Sequence, residues 1–161
     1  MELLDLHKRM LRLFEGNKMK RININTQQTH FIGCWNLENN KLCNEITNFF
    51  KNNKSLQKQG VTASGKNLKK KSRIDITVSP NDLKKPKFEI LKQYVNELHK
   101  CFLDYQNQWP FLKSMLTDID IGEFNIGKYS PGDHFSVLHS ERTSLATLHR
   151  VFAWMTYLND V

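Results

Sequence analysis

Residues 129–141 read YSPGDHFSVLHSE, and the way this stretch is read decides the fold. Pro131, Gly132 and Asp133 are turn residues: proline presets φ, glycine tolerates positive φ and aspartate bonds nearby backbone. Before the turn, DIDIGEFNIGKYS spaces Ile119, Ile121 and Phe124 as one side of a strand, with Gly122 or Gly127 as bulge or bend positions. After it, His134, Ser136 and Leu138 alternate with Phe135, Val137, His139 and Glu141, which puts the second set on one face. RTSLATLH then reads as a polar connection, and RVFAWMTYLNDV as a nearly continuous apolar strand of the buried kind. An antiparallel β-layer over about 118–161 is expected.

Upstream the periodicity changes. HFIGCW (30–35), closed by the polar NLENN, reads as a short strand. KLCNEITNFFKNNK places Leu42, Ile46, Phe49 and Phe50 on one face of a helix. SRIDITVSP alternates Ile74, Ile76 and Val78 against Arg73, Asp75 and Thr77, a half-buried strand that stops at Pro80. The longest helical pattern spans about 87–107, with Phe88, Leu91, Val95, Leu98, Phe102 and Tyr105 at three- and four-residue spacing. Pro86 sits at its start, where a missing N–H costs little, and Pro110 follows its end. His99 and Cys101 read as packing residues within it. Helices packed on an antiparallel β-layer make the fold class α+β.

A chain of 161 residues is one domain by length. Residues 1–29 read as an N-terminal extension, in which Leu3, Leu6, Met10 and Leu13 suit one short amphipathic helix, and Met19 is an alternative start. The net charge of +8 is concentrated. The stretch 51–73 holds eight Lys and Arg and no acid, and the remainder balances at sixteen against sixteen. This basic loop is expected to be solvated; as a binding element it would attract nucleic acid or an acidic partner, though it lacks interleaved aromatics for stacking. Cys34, Cys43 and Cys101 are odd in number and without a CxxC pair, as in reduced cytoplasmic proteins. No apolar run approaches the ~20 residues of a membrane span, and the N-terminus lacks a secretory pattern.

On a strand His139 and Glu141 project from the same face, so an imidazole and a carboxylate can converge on one point. They supply two thirds of the 2-His-1-carboxylate set of non-haem Fe(II) oxygenases. A histidine-rich zinc site from His134, His139 and His149 is the rival, weakened because His134 and His139 fall on opposite strand faces.

The succession Tyr129, then HSE at 139–141, then Arg150 followed by VFAWMTYLNDV resembles the prolyl-4-hydroxylase-like branch of the 2-oxoglutarate- and Fe(II)-dependent dioxygenases. IGCW, the helix after it, KKKSRIDITV and the long helix fit that family more loosely, so the likeness spans about 30–161. The resemblance implies a partial dioxygenase domain, the first half of a double-stranded β-helix (jelly roll). It also implies His139 and Glu141 as the first two iron ligands, and Tyr129 and Tyr157 as donors to 2-oxoglutarate. Arg150 is placed near the site mouth in substrate or structural contacts, Phe135 and Val137 as walls, and Trp154 in packing. Implied cosubstrates are 2-oxoglutarate and dioxygen, with ascorbate as an accessory reductant, and the substrate is a peptide or small molecule. The family's later strands, third iron ligand and 2-oxoglutarate-binding Arg or Lys have no counterpart before Val161, so a fragment of a longer protein is expected. The alternative function is a non-catalytic basic module that binds nucleic acid or an acidic partner.

Overall fold

The computed structural model describes residues 19–25, 30–62, 65–116 and 119–160. The helix expected over residues 3–13 lies outside them. In order, the elements are β1 (Lys20–Arg21), β2 (Trp35–Asn36), α1 (Asn40–Asn52), β3 (Lys58–Gln59), β4 (Lys71–Ser72), β5 (Ile74–Val78), α2 (Glu89–Gln108), α3 (Phe111–Met115), β6 (Phe124–Lys128) and β7 (His134–Phe135). Single 3-10 turns fall at Lys54–Leu56, Asp82–Lys84, Pro86–Phe88 and Leu145–Thr147. The protein is a mixture of helix and small antiparallel sheets, as the α+β expectation required.

The described residues gather into two compact units: those through Leu42 with Ile90–Asp120, and Cys43–Glu89 with those from Ile121 on. In the first, β1 pairs antiparallel with β2 through Lys20↔Asn36 and Arg21↔Trp35. Arg21 then donates from Nε to Asp104 Oδ2 on α2 at 2.8 Å, and the Trp35 indole donates to the same oxygen at 2.7 Å. Lys20 and Arg21, which the sequence assigned to an extension, are thus built into this unit. The strand expected over 30–35 shrinks to Trp35–Asn36, and Phe31 and Ile32 are exposed.

Both long helices form where their patterns place them. At the start of α1 the Asn39 side chain accepts from the Leu42 N–H at 3.1 Å, a side-chain N-cap. At its end Asn53 and Gln57 amides donate to the Phe49 and Phe50 carbonyls, both at 2.7 Å. Leu42, Ile46, Phe49 and Phe50 are buried, as their spacing demands. On α2 the buried line is Leu91, Tyr94, Glu97 and Cys101 rather than Leu91, Val95, Leu98 and Phe102, and His99 is exposed. The apolar stripe is broad enough for its centre to rotate by about one position, because Glu97 is accommodated by Lys100 at 2.7 Å.

The second unit holds the three-stranded sheet β3-β5-β6, all antiparallel, and the separate pair β4-β7. Across β5 and β6, Ile76 faces Ile126 and Asp75 faces Gly127. Ile76 and Val78 are completely buried, and Thr77 points to solvent and donates to Asn125 at 2.8 Å. Phe49 and Phe88 rings add to this core at 5.4 Å.

The β-layer is smaller than expected. Ile119 and Ile121 lie outside any strand, and β6 begins only at Phe124. Beyond Ser136, whose N–H donates to Lys70 O at 3.0 Å and prolongs the β4–β7 ladder, residues 137–160 form no strand. Leu138, Val151, Met155 and Tyr157 are exposed. Alternation sets side-chain faces, but a strand also needs an edge to pair with, and no described strand offers one to these residues. The basic stretch also differs from a solvated loop. It runs through the end of α1, a 3-10 turn, β3 and β4, and Lys71 within it is only 6% exposed.

Candidate metal and anion sites

The turn at 130–133 forms as its residues dictate. The Asp133 N–H donates to Ser130 O at 2.8 Å, Pro131 occupies the second position and Gly132 the third at φ +86, a type II turn. The Asp133 carboxylate accepts from Ser72 Oγ at 2.6 Å and from the Ser130 N–H at 2.8 Å. These bonds, first the Ser72 hydroxyl and then the backbone N–H, with His134 and Lys128 nearby, hold its pKa below the usual carboxylate value. The turn is thereby fastened to β4, which fixes where the chain toward His139 departs.

His139 and Glu141 do converge. His139 Nε2 lies 3.3 Å from Glu141 Oε1, and the second carboxylate oxygen accepts from Arg150 Nη1 at 2.9 Å. The other imidazole nitrogen, Nδ1, lies 2.9 Å from Val137 O. A carbonyl only accepts, so Nδ1 is the donor in this contact, and the ring is thereby turned with Nε2 toward Glu141. Nε2 and the carboxylate oxygen are close enough to share a cation, a proton or a metal ion, between them. The Phe135 ring covers one side of the imidazole at a centroid distance of 4.6 Å. About half of each of the His139, Glu141 and Arg150 side chains remains exposed.

For an iron ion the two donors fit. At metal–donor distances of about 2.1 Å, donors at right angles stand about 3.0 Å apart, close to the 3.3 Å found. They are a pair, not a full set: among the described residues no three His, Cys, Asp or Glu side chains group to hold a metal. His134 turns to carbonyls instead, with Nε2 3.1 Å from Lys69 O. Tyr157 is 64% exposed, and Trp154 meets the Phe124 ring at 6.0 Å.

Tyr129 belongs to a second cluster, one the sequence did not single out. Its hydroxyl oxygen accepts from Arg73 Nη1 at 2.8 Å, and the guanidinium carbon stands 5.4 Å from the ring centroid. Arg73 Nε is 2.7 Å from Asp75 Oδ1, an ion contact without hydrogen-bond alignment. Lys71 Nζ is 3.2 Å from Asp75 Oδ2, and donates to Val61 O at 3.0 Å. Asp75 is 5% exposed, so this is a buried carboxylate between two cations. Lys71 also stands 5.2 Å from the centre of the Phe135 ring that covers His139. The available signal was an acid at 75 inside an apolar strand, preceded by cations four and two positions earlier. Compared with known proteins, the chain matches no protein-family model, no curated protein and no solved structure.

Proposed function

We propose that the protein is a 2-oxoglutarate- and Fe(II)-dependent dioxygenase of the prolyl-4-hydroxylase-like type, acting on a peptide or other C–H substrate. The observation that carries the reading is the His139–Glu141 pair: Nε2 lies 3.3 Å from a carboxylate oxygen while Nδ1 is engaged by Val137 O at 2.9 Å. In this reading His139 Nε2 and Glu141 Oε1 are metal donors. Arg150 binds the other carboxylate oxygen and keeps Oε1 turned inward. Tyr129 and Tyr157 donate their hydroxyls to the cosubstrate. Among the described residues no third His, Cys, Asp or Glu joins them, so the pair by itself would hold an ion weakly. Bound iron, with 2-oxoglutarate and dioxygen, supplies the chemistry that yields succinate and carbon dioxide and hydroxylates the substrate. Phe135, stacked on His139, excludes water from one side of the ring.

The test is metal affinity, titrated anaerobically with Fe(II) and in air with Mn(II). His139→Ala and Glu141→Ala are each expected to weaken binding by at least about tenfold, while His149→Ala leaves it unchanged. Equal losses in all three variants, or in none, would remove the reading.

The alternative, a basic module for nucleic acid, draws on Lys66, Lys69 and Lys70, which are exposed. Lys71 and Arg73 are turned to Asp75 and do not add to it. It predicts affinity that falls steeply with salt and with Lys69→Ala and Lys70→Ala, and that ignores Glu141→Ala.

A further inference from the structure

We propose that residues 151–157 are an interaction strand whose partner is the same segment of a second copy of this chain, paired antiparallel about a two-fold axis at Trp154. This pairing needs no metal at His139.

Over residues 151–157 the backbone runs without turn or bend, and the first bend comes at Leu158. Burial alternates along it. Val151, Ala153, Met155 and Tyr157 are exposed, whereas Phe152, Thr156 and Leu158 are half-buried. Trp154, 39% exposed, meets the Phe124 ring of β6 at 6.0 Å. This is the side-chain pattern of a strand with one face seated on its own unit. Backbone groups alternate as well, since the N–H and C=O of every second residue point to the same edge. Among the described residues, Val151, Ala153, Met155 and Tyr157 take part in no hydrogen bond, so the edge they share is open. The segment is made of strand-forming types, β-branched and aromatic, and an open edge is a template for another strand.

What selects a second copy is the fit of the segment to itself. Open edges are ordinarily guarded by charge. The two outer strands of the three-stranded sheet each carry an exposed lysine, Lys58 on β3 and Lys128 on β6. No side chain from Val151 to Asn159 is charged, so this edge has no such guard. The first charges beyond it, Arg150 and Asp160, are opposite in sign, and antiparallel self-pairing brings each toward the other. The open edge also fixes the register, because odd-numbered residues have to form the hydrogen-bonded pairs. A two-fold at Trp154 pairs all four of them. Val151 stands opposite the second copy's Tyr157, and Ala153 opposite its Met155, a smaller side chain against a longer one each time. Trp154 then faces its own counterpart as a non-hydrogen-bonded pair, with Cα atoms about 4.5 Å apart.

The experiment measures the mass of the full chain by sedimentation over a range of concentrations, for the unmodified protein and for Ala153→Lys, Met155→Glu and the Ala153→Lys/Met155→Glu double variant. Both positions are exposed, so these variants keep the fold, which circular dichroism checks. The unmodified chain is expected to pass from monomer to dimer as concentration rises, and no further. Each single variant sets like charges diagonally across the axis and should weaken dimerisation about tenfold. The double variant sets an ammonium opposite a carboxylate and should return to within about threefold of the unmodified chain. Trp154→Cys should link into a disulfide dimer with oxidised glutathione, because about 4.5 Å is within reach of that bond. Ala153→Cys, whose two copies would stand about 8 Å apart, should not. An unmodified chain that stays monomeric, growth past the dimer, a double variant no tighter than the single ones, or equal linking at both cysteine positions would overturn the proposal.

Discussion

Single side chains decide more here than their number suggests. Asp75 is a carboxylate at 5% exposure between Lys71 and Arg73. Removing it strands two cations, one of them itself 6% exposed. Asp75→Ala is therefore expected to destabilise the protein by about 3 kcal/mol, read as a lowered urea midpoint, since breaking a buried pair leaves an uncompensated charge. Asp133 makes the opposite case, a half-buried carboxylate whose effect shows with pH. Its folded pKa lies below the unfolded value of about 3.9. The stability it contributes is thus fully present above the unfolded value and is lost as pH falls through the folded one. Thermal unfolding from pH 6 downward should show this loss, and Asp133→Asn should remove that share of the pH dependence. Cys101 is pushed the other way: burial first, then Glu97 and Asp104, raise its thiol to about 11. At neutral pH it stays a protonated packing residue, as its place in the helical pattern suggested.

At the scale of elements, what was legible in the sequence is what local pattern controls. α1 and α2 carry their own hydrogen bonds, so spacing and caps sufficed to place them within a residue or two. Ile74–Val78 was legible because its alternation is strict, and the 130–133 turn because proline and glycine fill the positions where its geometry needs them. Strands that depend on distant partners were not. Val151 to Tyr157 has the composition of a buried strand yet forms none, and Val151, Trp154, Met155 and Tyr157 are exposed. The His139–Glu141 pair was legible as an HxE triplet, but its geometry was not, because the contact between the two arises outside a regular strand. The Arg73–Tyr129 bond spans 56 positions, and no local rule could find it. Two substitutions test the sheet that carries it. Ile76→Ala empties a fully buried site and should cost about 3 kcal/mol in unfolding free energy. Gly127→Ala intrudes on Asp75 and Arg73, and should lower the urea midpoint.

For the whole molecule, the basic excess looks different once it is placed. Of the eight cations between 51 and 73, Lys71 and Arg73 serve the interior of the second unit. Among the described residues no helix is long and apolar enough to cross a membrane. One candidate site lies in that unit, built from the segment after β7, and near it is the buried ion cluster of β5 with Tyr129. The Phe135 ring lies between them, touching His139 at 4.6 Å and Lys71 at 5.2 Å. A dioxygenase reading would put the metal at the first. The most direct measurement is nuclear magnetic resonance of the histidine rings, with 15N-labelled protein and Mn(II) added in small steps. The account predicts that without metal Nδ1 of His139 carries the hydrogen, and that Mn(II) broadens the His139 ring signals first, leaving those of His99 and His134 sharp. Broadening that favours His134 or His149, or that spreads over all the histidines alike, would contradict it.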